Sequence, residues 1–420
     1  MKILKGFTIR FFIFFVLLSS CKQEEYDPFQ NIPKDYPILK EVLGNASKYQ
    51  VQILYTQINR DVNNQPVFET FEFNLNDQTY FYPASTVKLP VAVLALEWLG
   101  EQNVRGLSKE SMMVTDSVRT SQIPAFTDST AANLMPSVAH YIKKILLVSD
   151  NDAYNRLYEL LGQDYINEKL EGKGLKNTVI NHRLSIPMSP EENRHFNPIR
   201  FFDFDGQEIL EIPARETETV FSVSGKPDIG KSFMDGGKLV EQPMDFTFKN
   251  KYSLSDFHGT VMRLLFPEKF QSSERFDLSE EDRQFVLKYM SMLPGESDFP
   301  KYELPEYYDS YSKFFKFGTG KEPIPAQFRI FNKTGMAYGH LLDGAYFVDF
   351  ENGVEFFVTA VIYVNENETL NDNQYEFDEV AFPFYSELGE YLYQIELKRE
   401  KERKPDLNAL RIEYDAKILE

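Results

Sequence analysis

The chain lacks most of the residues that staple or metallate a fold. Its 420 residues include one cysteine, Cys21, so no disulfide can form within it. The histidines (His140, His182, His195, His258 and His340) show no H-E-x-x-H or other metal-ligand spacing, so no metal or cofactor is expected. Positive charge is scarce, with 45 Lys and Arg against 64 Asp and Glu and a formal net charge of −19. Nucleic-acid binding replaces counterions with clustered basic residues, so this balance argues against a nucleic-acid partner. Beyond the N-terminus no stretch approaches the ~18 consecutive apolar residues of a membrane span. No repeat at solenoid spacing is found.

The N-terminus reads as a targeting segment. Lys2, Lys5 and Arg10 precede an unbroken apolar run over residues 11–18, which ends in Leu18-Ser19-Ser20-Cys21. That ending resembles a bacterial lipobox. The resemblance implies a signal peptide over 1–20, a lipidated Cys21 and membrane attachment through that lipid. Lys22-Gln23-Glu24-Glu25 is similar to the export tags of Bacteroidetes-type surface lipoproteins. It implies a cell-envelope location at the outer membrane, on its periplasmic or its surface face. Residues 21–35, with Pro28 and Pro33, read as a polar tether.

Hydrophobic patterning supplies the layout of the rest. Residues 51–58 and 67–75 are β-rich and flank the hairpin-like Asp61-Val62-Asn63-Asn64-Gln65-Pro66. Apolar residues on most faces from Ser85 to Trp98 predict a buried helix, with Pro90 near its first turn. Pro136-Ser137 marks the start of a helix over 138–148. Residues 152–161, 164–174, 253–266 and 279–293 are amphipathic. Between about 201 and 250 the pattern changes to short β-like runs broken by glycines, which reads as an insertion. Strands return at 328–333, 345–350 and 354–364, with Glu351-Asn352-Gly353 as a turn. A helix over 376–401 follows, which Pro383 and Gly389 should bend or interrupt. The expected fold is α/β (α+β), a layer made from both chain ends around a helical middle. The domain spans 36–404, with a tail over 405–420.

Three motifs carry chemistry. In Ser85-Thr86-Val87-Lys88 the lysine lies one helical turn from the serine, which would place its amine beside the hydroxyl. A serine hydroxyl is a weak nucleophile without such a base. Burial and a second cation would lower the lysine pKa far enough for it to act as one. Ser149-Asp150-Asn151 sits between two expected helices, where a hydroxyl could shuttle a proton and an amide could hold both Lys88 and a substrate amide. The plain alternative is a helix cap, which all three residue types favour. Lys333-Thr334-Gly335 ends a β-run. Lys333 and Thr334 suit a carboxylate, and Gly335 would let substrate approach the strand closely. The plain alternative there is a strand-to-turn boundary.

In this order and context the motifs resemble those of class A β-lactamases and penicillin-binding proteins. The likeness extends to Phe81-Tyr82-Pro83-Ala84, to residues 145–151 and to the leucines up to Gly162. It covers roughly 36–400 with the insertion left out. It implies a β-lactamase/transpeptidase-like fold, an antiparallel sheet flanked by helices plus a helical subdomain. It also implies a serine hydrolase with Ser85 as nucleophile, Lys88 as base and Ser149 as proton shuttle. Asn151, Lys333, Thr334 and Gly335 would contact substrate, with Lys333 and Thr334 on its carboxylate. The backbone N–H groups of Ser85 and Met336 would form the oxyanion hole. The implied partner is a small acyl donor, a β-lactam or a peptidoglycan-like peptide.

One departure bears on turnover. Class A enzymes carry Arg-x-Glu in the loop after S-D-N, and that Glu activates the deacylating water. Here the segment reads Arg183-Leu184-Ser185, and Glu191 and Glu192 are the nearest substitutes. Without the base, acylation would outrun deacylation, as in a penicillin-binding protein. Three readings stay open: a β-lactamase-like hydrolase, a D,D-peptidase on peptidoglycan, or a non-catalytic lipid-anchored binding protein. Residues 225–232 spell a P-loop, but Phe233-Met234-Asp235-Gly236-Gly237 is a poor helix start, so a coincidental loop is expected.

Overall fold

The computed structural model describes residues 26–225 and 227–415; Cys21, the segment before it and Lys226 lie outside the described residues. In chain order the principal elements are α1 (Pro37–Gly44), β1 (Gln52–Arg60), β2 (Pro66–Phe73) and α2 (Lys88–Glu101). Next come α3 (Val138–Val148), α4 (Asn151–Leu161), α5 (Gln163–Gly172), α6 (Leu254–Leu265) and α7 (Glu280–Ser291). The chain closes with β3 (Phe328–Ala337), β4 (His340–Asp349), β5 (Val354–Tyr363) and α8 (Phe382–Lys398).

The five strands form one antiparallel sheet in the order β3-β4-β5-β1-β2, so both chain ends meet in its centre. Side chains alternate between its faces. Ile53 and Tyr55 of β1 join the core under α1 and α8, while Leu54 and Ile58 point the other way. That opposite core is shared with α2, α3 and α4, which form the helical subdomain. Because helices cover both faces, the central strands are buried along almost their whole length rather than alternating in polarity.

Several expectations change on contact with the fold. The helix expected to open at Ser85 begins as a 3₁₀ turn over Ala84–Val87 and becomes α-helical only at Lys88. The β-run expected to stop at Lys333 continues to Ala337, because pairing with β4 holds it extended through Gly335. The last helix opens as a π-helical turn over Phe377–Ala381 and runs α-helical without a break from Phe382. Pro383 falls in the first α-helical turn, where a missing N–H is harmless. Gly389 leaves room for the backbone of Lys316, whose nitrogen would lie 2.2 Å from a Cβ there.

The stretch read as a tether is docked from Pro28 onward. Phe29 and Ile32 are buried, and the Tyr391 hydroxyl donates to the Pro28 carbonyl at 2.7 Å. The expected tail also packs, with Leu407 buried and Tyr414 over the Arg329 guanidinium at 4.4 Å. In each case a few apolar side chains in a polar sequence find cover that only the assembled domain provides. The inserted segment forms short strands, of which Ser232–Asp235 pairs with Lys238–Val240 and, in parallel, with Thr369–Leu370. The P-loop spelling therefore leads into a strand, not a helix.

Candidate active site

Ser85 is presented by a strained turn against the inner face of β3. Ala84, just before it, has φ +49°, a conformation that costs an L-residue of order 1 kcal/mol and persists only where surrounding packing imposes it. The packing partner is Gly335. A Cβ there would lie 2.9 Å from the Pro83 carbonyl oxygen and 3.0 Å from the Ser85 nitrogen. The glycine thus serves first to bring the turn that carries Ser85 against the strand. The Ser85 side chain is half-buried and faces a cavity.

The S-D-N segment is a sharp corner, and the cap reading and the site reading hold together. Ser149 ends α3 in the left-handed region at φ +64°. The Asp150 side chain caps α4 by accepting from the Ala153 N–H at 2.8 Å. This geometry turns Ser149 and Asn151 inward. The Lys88 ammonium donates to the Ser149 carbonyl, to the Asn151 amide oxygen at 2.7 Å and to the Ser149 hydroxyl at 3.2 Å. From the other side the Lys333 ammonium donates to the same hydroxyl at 2.8 Å and to the Thr334 carbonyl at 2.8 Å. Two lysines thus converge on one serine.

The expected Ser85–Lys88 hydrogen bond is not formed. The three oxygens of the corner draw the amine away, and the Ser85 hydroxyl has no hydrogen-bond partner among the described residues. Lys88 is fully buried, and desolvation holds its amine well below the ordinary lysine value. The nearby Lys333 charge pushes the same way, and Asp150 opposes. Burial also lowers Lys333, to about 7, with Asp343 opposing and Lys313 adding to the shift.

The cavity in front of Ser85 has a volume of about 380 Å³. Its walls include Asn151, Ser185, Met336, Tyr338, Asn371 and Tyr375, and among the described residues no Asp or Glu lines it. The inserted segment supports one wall, since the Phe246 ring packs on Tyr82 at 5.6 Å and on Tyr338 at 5.2 Å. Ser232 meets Thr369, hydroxyl to hydroxyl, at 2.9 Å and so fastens the segment that bears Asn371, Asn373 and Tyr375.

The 183–195 loop borders the opposite side. Arg183 is buried against Glu159, with Nε to carboxylate at 2.9 Å, and also donates to the His195 carbonyl. Leu184 is locked to Asn155 by reciprocal bonds of 2.8 and 3.0 Å. This anchoring places Ser185 in the cavity wall, where its hydroxyl accepts from the Asn151 amide at 2.9 Å. Glu191 and Glu192, read from the sequence as substitute carboxylates, do not reach the cavity. Glu191 is exposed and pairs with Arg194 and His195, which lower its pKa. Glu192 folds back onto the Ser189 N–H at 3.0 Å. Glu191, His195 and Glu216 bring donor atoms within 4.8 Å of one another, and Arg194 reaches both carboxylates.

Residues 37–222 match the model of the beta-lactamase enzyme family. The matched segment is less than half of the chain. It carries Ser85, Lys88, Ser149, Asn151 and the Arg183–Ser185 loop, while Lys333 to Met336 lie outside it. The five-stranded antiparallel sheet with helices on both faces is the α/β layer expected from the sequence. Among solved structures, the β-lactamase from Burkholderia vietnamiensis is similar at 14% identity and TM-score 0.46, over 88% of this chain and 99% of that one. The β-lactamase from Sphaerobacter thermophilus is similar at 16% identity and TM-score 0.45, over 85% and 97%. PBP-A is similar at 16% identity and TM-score 0.46, over 85% and 96%. No curated protein matches the chain.

Sequence reasoning missed the residues behind the site. Lys313 lies in an irregular stretch without a motif, and Asp343 sits inside the apolar run Leu341-Leu342-Asp343-Gly344-Ala345. A lone carboxylate in such a run was the available signal. The aromatic wall of Tyr82, Phe246 and Tyr338 gave none, because its members come from distant segments.

Proposed function

We propose that the protein is a serine hydrolase that forms an acyl-enzyme at Ser85 with a small acyl donor, a β-lactam or a related amide or ester. The observation that carries this reading is the convergence of Lys88 and Lys333 on Ser149 beside a cavity that exposes Ser85. Ser85 Oγ attacks the carbonyl carbon, and its proton passes to neutral Lys88 once that amine swings from the corner. The oxyanion is held by the backbone N–H groups of Ser85 and Met336. Ser149 delivers a proton to the leaving nitrogen, supplied through its lysine contacts. Lys333 and Thr334 bind the substrate carboxylate, and Asn151 its amide.

Among the described residues no carboxylate lines the cavity, which favours slow deacylation. That supports a second reading, a D,D-peptidase-like enzyme acting on peptidoglycan peptides. In either role we place the domain at the outer membrane, anchored through Cys21; Cys21→Ser should move it from the membrane to the soluble fraction.

Intact-mass spectrometry of the protein with a penicillin, with Ser85→Ala beside it, tests the proposal. A transient adduct with accumulating product supports β-lactam hydrolysis, and a persistent one the penicillin-binding role. No adduct on either protein would remove the acyl-enzyme reading for β-lactams and leave a binding role on the same fold.

A further inference from the structure

Three lysines are buried around β3, and only two belong to the motifs. The third, Lys313, is 1% exposed. Its ammonium donates to the Met290 carbonyl at 2.6 Å and to the Asn332 amide oxygen at 2.6 Å. The Asn332 amide donates in turn to the Asp343 carboxylate and to the Ser312 carbonyl, each at 2.8 Å. The second Asp343 oxygen accepts from the Phe314 N–H at 3.1 Å. Asn332 and Asp343 are also buried, with Asp343 fully so. Asn332 and Lys333 are successive residues of one strand, so their side chains leave on opposite faces. The cluster therefore stands behind the site, backing the strand that carries Lys333.

We propose that Lys313, Asn332 and Asp343 form a positioning unit on the far side of β3 that fixes the protonation of Lys333 and, through it, of Lys88. The inference rests on the acyl-enzyme reading above. Buried charges are held by partners or neutralised. Asp343 is the buried carboxylate acting on both Lys313 and Lys333. Burial raises the Asp343 carboxyl, and its ionised form favours charged Lys333, while Lys313 opposes this as a like charge. Charged Lys333 in turn favours a neutral Lys88. The other charged or titratable groups acting on the cluster are Asp150 on Lys88, Arg329 and Glu296 on Lys313, and Tyr385 beside Asp343. None of the three unit members lines the cavity, so they act through Lys333 and touch no substrate.

The test uses opposed charge changes. The rate constant for adduct formation with a chromogenic cephalosporin is measured against pH for the wild type, Asp343→Asn and Lys313→Met. Loss of the Lys333 proton sets the descending limb, because a neutral amine holds the substrate carboxylate poorly. Asp343→Asn should move that limb about one pH unit down and raise KM, and Lys313→Met should move it up by a similar amount. A structural role would lower the rate in both variants without opposite movement; limbs that stay fixed or move together overturn the proposal. NMR titration of ¹³C-labelled lysine side chains keeps the two readings separable. Lys333 resonances that move oppositely in the variants support the unit even where no acyl donor reacts, and then only the acyl-enzyme reading fails. Lys333 titrating like an exposed lysine in the wild type overturns the unit without any variant.

Discussion

Two regions face each other across the same cavity and treat charge in opposite ways. On the β3 side, Lys88 and Lys333 are stripped of water, and burial is the largest cause of their lowered pKa values. On the loop side, Glu191 and Glu192 remain at the surface, where a neighbouring arginine and a backbone N–H stabilise their charged forms. Ionisable side chains are close in sequence to key positions in both regions. Only the first region perturbs them in the direction chemistry requires, because only there does the fold remove solvent without supplying a full counter-charge.

The comparison breaks most directly at Ser85, the proposed nucleophile. Ser85→Ala should abolish the covalent adduct entirely, read by intact mass, whereas substitutions on the loop side leave it in place. Lys88→Ala should slow adduct formation by about 10²–10⁴-fold, the usual contribution of a positioned general base. In the wild type the rate should rise with pH as Lys88 loses its proton. It should fall again as pH passes the Lys333 value of about 7. Both groups are lysines whose folded values are depressed, so the bell lies well below the ordinary lysine range.

The contrast sharpens if the loop side is given what it lacks. Ser185 is exposed at the cavity wall and hydrogen-bonded to Asn151, so Ser185→Glu should place a carboxylate beside the acyl group. Adduct clearance should accelerate by about 10-fold or more, followed by mass against time. Gly335→Ala tests the packing that unites strand and nucleophile turn. It should cost about 1–3 kcal/mol in urea unfolding, since the new methyl meets the Pro83 and Ser85 backbone. The smallest effect belongs to Glu191→Gln and Glu192→Gln. Neither should change clearance beyond about twofold, as for ordinary surface positions, followed by mass against time.

Much of the helical middle was legible because its signals are local. Pro136-Ser137 marked the start of α3, and the Ser137 hydroxyl accepts from the His140 N–H as a cap. The apolar stretch after Ser85 became a fully buried helix for the reason its sequence suggested, apolar residues on every face. The extent of β3 was less legible, since Gly335 is of a type depleted in strands and is held extended by pairing with Leu342. The docked ends were illegible, because Phe29 and Leu407 are apolar residues in polar stretches, and their cover comes from other segments of the chain, as Phe73 does for Phe29.

By itself the sequence determined which hydroxyl, amine and carboxylate side chains are present and their order along the chain. Residue identity and short-range spacing are enough for that. Tertiary structure alone decided that Lys88 bonds to the S-D-N corner and not to Ser85, and that Glu191 and Glu192 turn away. It also decided that Lys313 and Asp343 stand behind Lys333. Those outcomes depend on desolvation and on contacts between segments far apart in the chain, and local propensity encodes neither.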